Sequence, residues 1–175
     1  LLDLAESRRG PDQDRVVVDQ EAYRQLPAMI AVHRAGLALL AGDSDGTITH
    51  ATRVLDLAGE DDPLQRGAAS ALLGLAHWSR GELHTAQERY TEAVRRFEDG
   101  GHLPDAMGVS LALADIQIAR VGLRDAQRTL EHALGLAVEH PGLRGAADMH
   151  VGLSEVLIER NELAGAEVHL ERSTE

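Results

Sequence analysis

Nine histidines and a surplus of carboxylates are the residues of this 175-residue sequence with which chemistry could be done. Two spacings stand out. His84 and Glu88 are one helical turn apart, and Asp148 and His150 are close in sequence. A zinc site needs three or four converging ligands, and no H-E-x-x-H run supplies them. The absence of cysteine removes thiolate sites, thiol catalysis and disulfides together. Glu60-Asp61-Asp62 is a dense carboxylate run, but Pro63 and Gln65 follow it, so it reads as a solvated loop whose last acid caps a helix. No Ser, His and Asp are spaced as a triad that sequence alone reveals. The expectation is a non-enzyme with no catalytic residue and no metal.

The elements that position these residues are helices. The sequence is 43% hydrophobic but only 2% aromatic, and the remainder is mostly Leu, Ala and Val. Small side chains of high helix propensity suit closely packed helix pairs, whereas sheets draw on β-branched and aromatic residues. The formal charge is −12, and every basic residue other than His is Arg. Phosphate backbones repel such a chain, so this segment is not expected to bind nucleic acid. No apolar run reaches membrane-spanning length and none resembles a signal peptide. The lack of cysteine fits a reducing compartment, and a cytoplasmic location is expected.

Three segments align without gaps around Arg80-Gly81-Glu82-Leu83, Arg120-Val121-Gly122-Leu123 and Arg160-Asn161-Glu162-Leu163, each 40 residues after the last. Leu73, Leu113 and Leu153 share a column, as do Ala86, Ala126 and Ala166, and Tyr90, Leu130 and Leu170. In each unit a helix ends in a short polar turn and a second begins, which forces antiparallel neighbours. The Ala column is expected to let the second helix approach Gly74, Ala114 and Ser154. An earlier, less regular unit aligns either through Gly42 with Gly81 or through Ile48 and Ala51 with Leu83 and Ala86, and both alignments stand.

Helices are expected over 21–41, 46–58, 63–79, 83–98, 103–120, 123–139, 143–160 and 163–173. They divide the sequence into an opening segment, 1–20, and an array of about four helix pairs, 21–175 (21–58, 63–98, 103–139 and 143–173). The opening residues Leu1 to Glu6 read as the tail of a helix already under way, as in a fragment of a longer protein. Residues 8–20 are irregular, and Val16-Val17-Val18 reads as a short strand or as an extended strap on the first pair.

Leu73-Gly74, His77, Ala86, Tyr90 and Ala93 fall at the spacing of the tetratricopeptide pattern, with Ser70 in place of its usual Trp. Ala114, Ala126, Leu130 and Ala133 repeat it. The resemblance implies an all-α, right-handed superhelix of antiparallel helix pairs. Leu26-Pro27-Ala28-Met29-Ile30-Ala31-Val32-His33-Arg34-Ala35, Arg66-Gly67-Ala68-Ala69 and Ala147-Asp148-Met149-His150-Val151-Gly152-Leu153-Ser154-Glu155 resemble the repeat region of MalT-like, LuxR-family ATP-dependent transcriptional regulators. Such regulators carry an upstream nucleotide-binding module and a downstream helix-turn-helix reader, with the repeats between them receiving an inducer or protein partner. No G-x-x-x-x-G-K-[ST] run and no basic recognition helix stands in this sequence. The resemblance therefore implies that ATP and DNA belong to other parts of a parent protein, and that this segment takes no cofactor.

In such solenoids the first helices line the concave face where partners bind. The columns that face it are Ala71, Leu75 and Trp78, then Leu111, Asp115 and Ile118, then Val151, Glu155 and Ile158. An apolar groove with two carboxylates suits a partner helix with basic residues, or a small ligand with hydroxyls. Trp78 reads either as a packing residue between repeats or as an aromatic anchor. Asp115 and Glu155 read either as binding groups or as partners of arginines in the next unit. Gln117 and His150 are expected to face the neighbouring repeat. The expected function is an interaction or sensor module of a transcriptional regulator. The alternative is a structural connector that self-associates or bridges domains without a small-molecule ligand.

Overall fold

The first three helices start on aspartate caps written into the sequence, at Asp19, Asp43 and Asp62. Asp62 Oδ1 accepts the Gln65 N–H at 3.1 Å with Pro63 at the first helical position, and Asp43 Oδ1 accepts the Gly46 N–H at 2.8 Å. In the computed structural model, which describes Asp3 and residues 18–174, eight helices follow one another from residue 20. They are α1 (Gln20–Leu40), α2 (Ser44–Leu57), α3 (Pro63–Ser79), α4 (Leu83–Asp99), α5 (Leu103–Ala119), α6 (Leu123–Glu139), α7 (Ala146–Glu159) and α8 (Leu163–Arg172). No strand occurs among the described residues. α7 begins at 146 rather than 143, because the Leu143 N–H turns back to the His140 carbonyl at 2.8 Å and Gly145 adopts a left-handed φ of 119°.

One turn joins the helices within every pair. Gly42, Gly81, Val121 and Asn161 take φ of 74°, 76°, 63° and 59°. At Gly81 the N–H reaches the Trp78 carbonyl at 2.8 Å and the next N–H, of Glu82, reaches His77 at 2.9 Å. The same two bonds recur at the other three turns, satisfying carbonyls that the ending helix leaves open. This settles the first unit: Gly42 aligns with Gly81. Thr47, not Ala51, then occupies the column of Ala86, Ala126 and Ala166, and all four are buried. The Thr47 hydroxyl donates to the Asp43 carbonyl at 2.8 Å, so the column tolerates it.

Close approach in the second pair rests on glycines facing aromatics. A Cβ on Gly74 would lie 2.6 Å from the Tyr90 ring, and one on Gly67 would lie 2.8 Å from the Phe97 ring. The two contacts are seven residues apart on both helices, in opposite directions, as antiparallel packing requires. Gly74 thus faces Tyr90 rather than Ala86 as expected. Successive helices pack throughout, and the first helices also meet across pairs, α1 against α3 and α5 against α7. Arg80, Arg120 and Arg160 end the first helices and reach back to the second helix of the preceding pair, at Asp45, Gln87 and Gln127. Their shared column is thus a register lock between repeats.

The expected strap on the first pair gains no support where it is described, because Val18 is 94% exposed and Gln20 is already helical. Asp3 is helical and its carboxylate meets Arg34 at 2.5 Å. The rest of the readings for residues 1–17 lies outside the described residues.

Candidate partner-binding groove

α5 sets Leu111, Asp115 and Ile118 at helical spacing on one face, and α7 sets Val151 and Glu155 opposite them. These five residues line one cavity of about 250 Å³. Ala114, Leu130 and Gly152 complete its wall, and Asp148 adds a third carboxylate to the lining. Gly152 is small for a reason: a Cβ there would come within 3.1 Å of Leu130 Cδ1. Leu130 is 1% exposed and belongs to the core shared by α5, α6 and α7, so the groove rests on packed structure.

The two facing acids are not absorbed by arginines. Arg120 and Arg160 turn to glutamines, and Arg160 also reaches Glu162 at 2.7 Å. Among the described residues no cation pairs with Asp115 or Glu155, which removes the reading that they serve the next unit. Burial, and then the charge of Glu155, push the Asp115 carboxyl above its ordinary range. Tyr90 is 4% exposed, and its hydroxyl, which makes no hydrogen bond among the described residues, still reaches solvent. Its pKa is pushed up to about 12 by burial and then by the charge of Asp115, which puts the phenol within the field of that carboxylate.

The other expected groove residues are placed differently. Ala71, Leu75 and Trp78 of α3 are half-buried and pack against Ala86, Tyr90, Leu113 and Ile116, between the second and third pairs. Ile158 is 50% exposed and lies outside the cavity lining. His84 and Glu88 meet at 3.5 Å on an exposed face. Among the described residues no cluster of three or more metal-ligating side chains forms.

Sequence reasoning missed a larger groove, about 620 Å³, lined by α4, α5 and α6. Gln117 is on its wall and accepts the Thr129 hydroxyl at 2.9 Å within its own pair, while the wall across from it is α4 of the preceding pair. A polar column of Gln87, Thr91, Gln117 and Thr129 on otherwise packed faces was the available signal. Each charged residue there has a partner: Arg95 with Glu92 and Asp99, Arg128 with Asp125, and Glu98 with the His132 ring at 2.9 Å. His150, expected to face the neighbouring repeat, instead meets His169 of its own pair, Nδ1 to Nδ1, at 2.9 Å. Two polar residues had to share one interface between α7 and α8 for that contact to form.

The family profile described as the MalT-like TPR region matches residues 28–175. Among curated proteins none matches. Solved structures do. BtubC (BKLC) from P. vanneervenii superposes with a TM-score of 0.78 at 17% identity, over 98% of this chain and 70% of its own. RapI in its apo form gives 0.77 at 13% identity, over 98% of this chain and 60% of its own. A kinesin light chain with nearly identical TPR-like repeats from Podosopora anserina gives 0.70 at 14% identity, over 99% of this chain and 83% of its own. At such identities the likeness is one of fold, a helical-repeat superhelix. No described helix is long and apolar enough to cross a membrane.

Proposed function

The chain belongs to the MalT-like TPR family, and on that premise we propose that it is a non-catalytic interaction module that receives an effector or protein partner in the groove between α5 and α7. One observation carries this reading. The groove joins apolar walls to three exposed carboxylates, Asp115, Asp148 and Glu155, that form no ion pair among the described residues. Apolar walls with a few convergent polar groups are the usual make-up of a binding site. Within a LuxR-type regulator the module would pass the occupancy of this groove to a nucleotide-binding module. ATP, DNA contacts and a cytoplasmic setting belong to that parent protein under this reading. A parent gene with no Walker motif upstream and no helix-turn-helix downstream would remove the regulator context and leave the groove.

The direct test is a thermal-shift screen of sugars, nucleotides and peptides on the wild type and on Val151→Arg. Val151 is 40% exposed, so the substitution is tolerated and swings a cation into the groove. A ligand at 100 times its Kd stabilises the wild type by about 2.7 kcal/mol, and the shift is expected to vanish in the variant. A ligand whose shift survives Val151→Arg binds elsewhere and defeats the assignment.

A further inference from the structure

The fourth pair repeats a docking surface that the second and third pairs fill. In the 40-residue register, Ile158, Leu163 and Leu170 continue three columns: Trp78 with Ile118, Leu83 with Leu123, and Tyr90 with Leu130. Those earlier members are buried or half-buried, because the next pair packs on them. Tyr90 shares a core with Leu113 and Ile116 of α5, and Leu130 shares one with Leu153 and Val156 of α7. In the fourth pair the same columns are open, with Ile158 50%, Leu163 60% and Leu170 46% exposed. The polar part of the interface continues too. Gln87 and Gln127 receive Arg120 and Arg160 of the following pair. Their column next holds Glu167, exposed and without an ion pair among the described residues.

The helices that dock inside the array show what fits this face. Each carries apolar residues seven and four positions before a closing arginine: Leu73 and Ala76, Leu113 and Ile116, Leu153 and Val156, none more than 5% exposed. We propose that the open face of α7 and α8 docks a helix of a partner protein built on that pattern, its closing arginine reaching Glu167. A glutamate where the inner repeats have glutamine favours a charged donor over a neutral one. Apolar anchors at such spacing with a charge at one end are how amphipathic helices are read by grooves. Head to tail, a second copy offers α1, and α1 breaks the pattern. It closes in Ala41 rather than arginine, and Arg34, paired with Asp3, stands in the column of Leu73.

The test uses the full chain and two capped helical peptides of alanine and glutamine, with leucine seven and isoleucine four positions before the last residue. One closes in arginine and the other in glutamate. Calorimetry is expected to give saturable binding, about fivefold tighter for the arginine peptide, the scale of an exposed ion pair gained against a repulsion. Leu170→Asp should remove the binding of both, and Ile158→Asp reads the same face from α7 should the first variant unfold. Glu167→Arg should reverse the preference. That variant leaves the chain strongly acidic, so a reversal reports the local contact and not the overall field. No binding of either peptide, binding that survives Leu170→Asp and Ile158→Asp, or an unreversed preference in Glu167→Arg overturns the proposal. Sedimentation is expected to show a monomer. A wild-type dimer that Leu170→Asp makes monomeric gives the face to a second copy and overturns the partner helix.

Discussion

The two grooves of the third pair differ in the opposite sense to their size. The outer one, between α4 and α6, is more than twice as large as the inner one, about 620 against 250 Å³. Yet every charged side chain lining it has a partner on the protein, the arginines and Asp125 in ion pairs and Glu98 with the His132 ring. The inner groove is small, and its three acids, Asp115, Asp148 and Glu155, have no ion-pair partner among the described residues. What marks the inner groove is not volume but carboxylates left without an ion-pair partner beside apolar walls.

The strongest way to break this comparison is to remove the floor of one groove. Leu130 is 1% exposed and lines only the inner groove, so Leu130→Ala deletes buried atoms and leaves a void beneath Asp115. A loss of about 3 kcal/mol is expected in urea denaturation, in the range of buried Leu truncations. Val94 lines the outer groove and is only partly buried, so Val94→Ala should cost about 1 kcal/mol. Equal losses would mean that the inner groove is no better backed by core than the outer one.

A smaller effect lies at the turn between α5 and α6. Val121 holds φ 63° at 84% exposure, a conformation that a β-branched residue adopts only under strain. Gly42 and Gly81 occupy the same place in earlier turns without that strain, and Asn161 is the next best choice. Val121→Gly is therefore expected to raise stability by about 1 kcal/mol, less the entropy glycine adds to the unfolded chain. Since Val121 lines neither groove, ligand affinity should not change. A gain in stability that also altered binding would show that the inner groove is sensitive to the whole array.

The turn column also shows what the sequence made legible. The 40-residue period, the helix pairs and the Asp62 cap can be read off residue types, because short turns and small-residue columns permit few geometries. The first unit stayed ambiguous because Thr47 replaces alanine, and only the left-handed φ of Gly42 fixes the register. The inner groove was half legible. Helical spacing placed Leu111, Asp115, Ile118, Val151 and Glu155 together, whereas Ala71, Leu75 and Trp78 of α3 lie outside that lining and pack between the second and third pairs. Which columns share a cavity depends on how neighbouring pairs pack, and the residue types along one helix do not encode that. The unpaired state of Asp115 was equally hidden, because it depends on Arg120 and Arg160 choosing glutamines.

The finest contrast applies one substitution, Asp to Asn, to each groove. Asp125 lies on the outer groove in the first turn of α6 and pairs with Arg128, their side chains 51% and 72% exposed. Removing that charge should lower stability by a few tenths, about 0.3 kcal/mol, as exposed pairs and helix-start acids do. Asp115→Asn should do the reverse. The folded state holds the Asp115 proton more tightly than the unfolded state, through burial and the nearby charge of Glu155. Above its raised folded pKa the charged group therefore costs stability, and below its ordinary value of 3.8 both states are protonated and the cost is gone. The variant should melt above the wild type at pH 7, and the gap should close as pH falls through the folded pKa toward 3.8. Calorimetric melts across that range read it directly. If both substitutions destabilise, Asp115 has a partner within the chain and its charge is not held for another molecule. If only Asp125→Asn does, the smaller groove is the one kept open for binding.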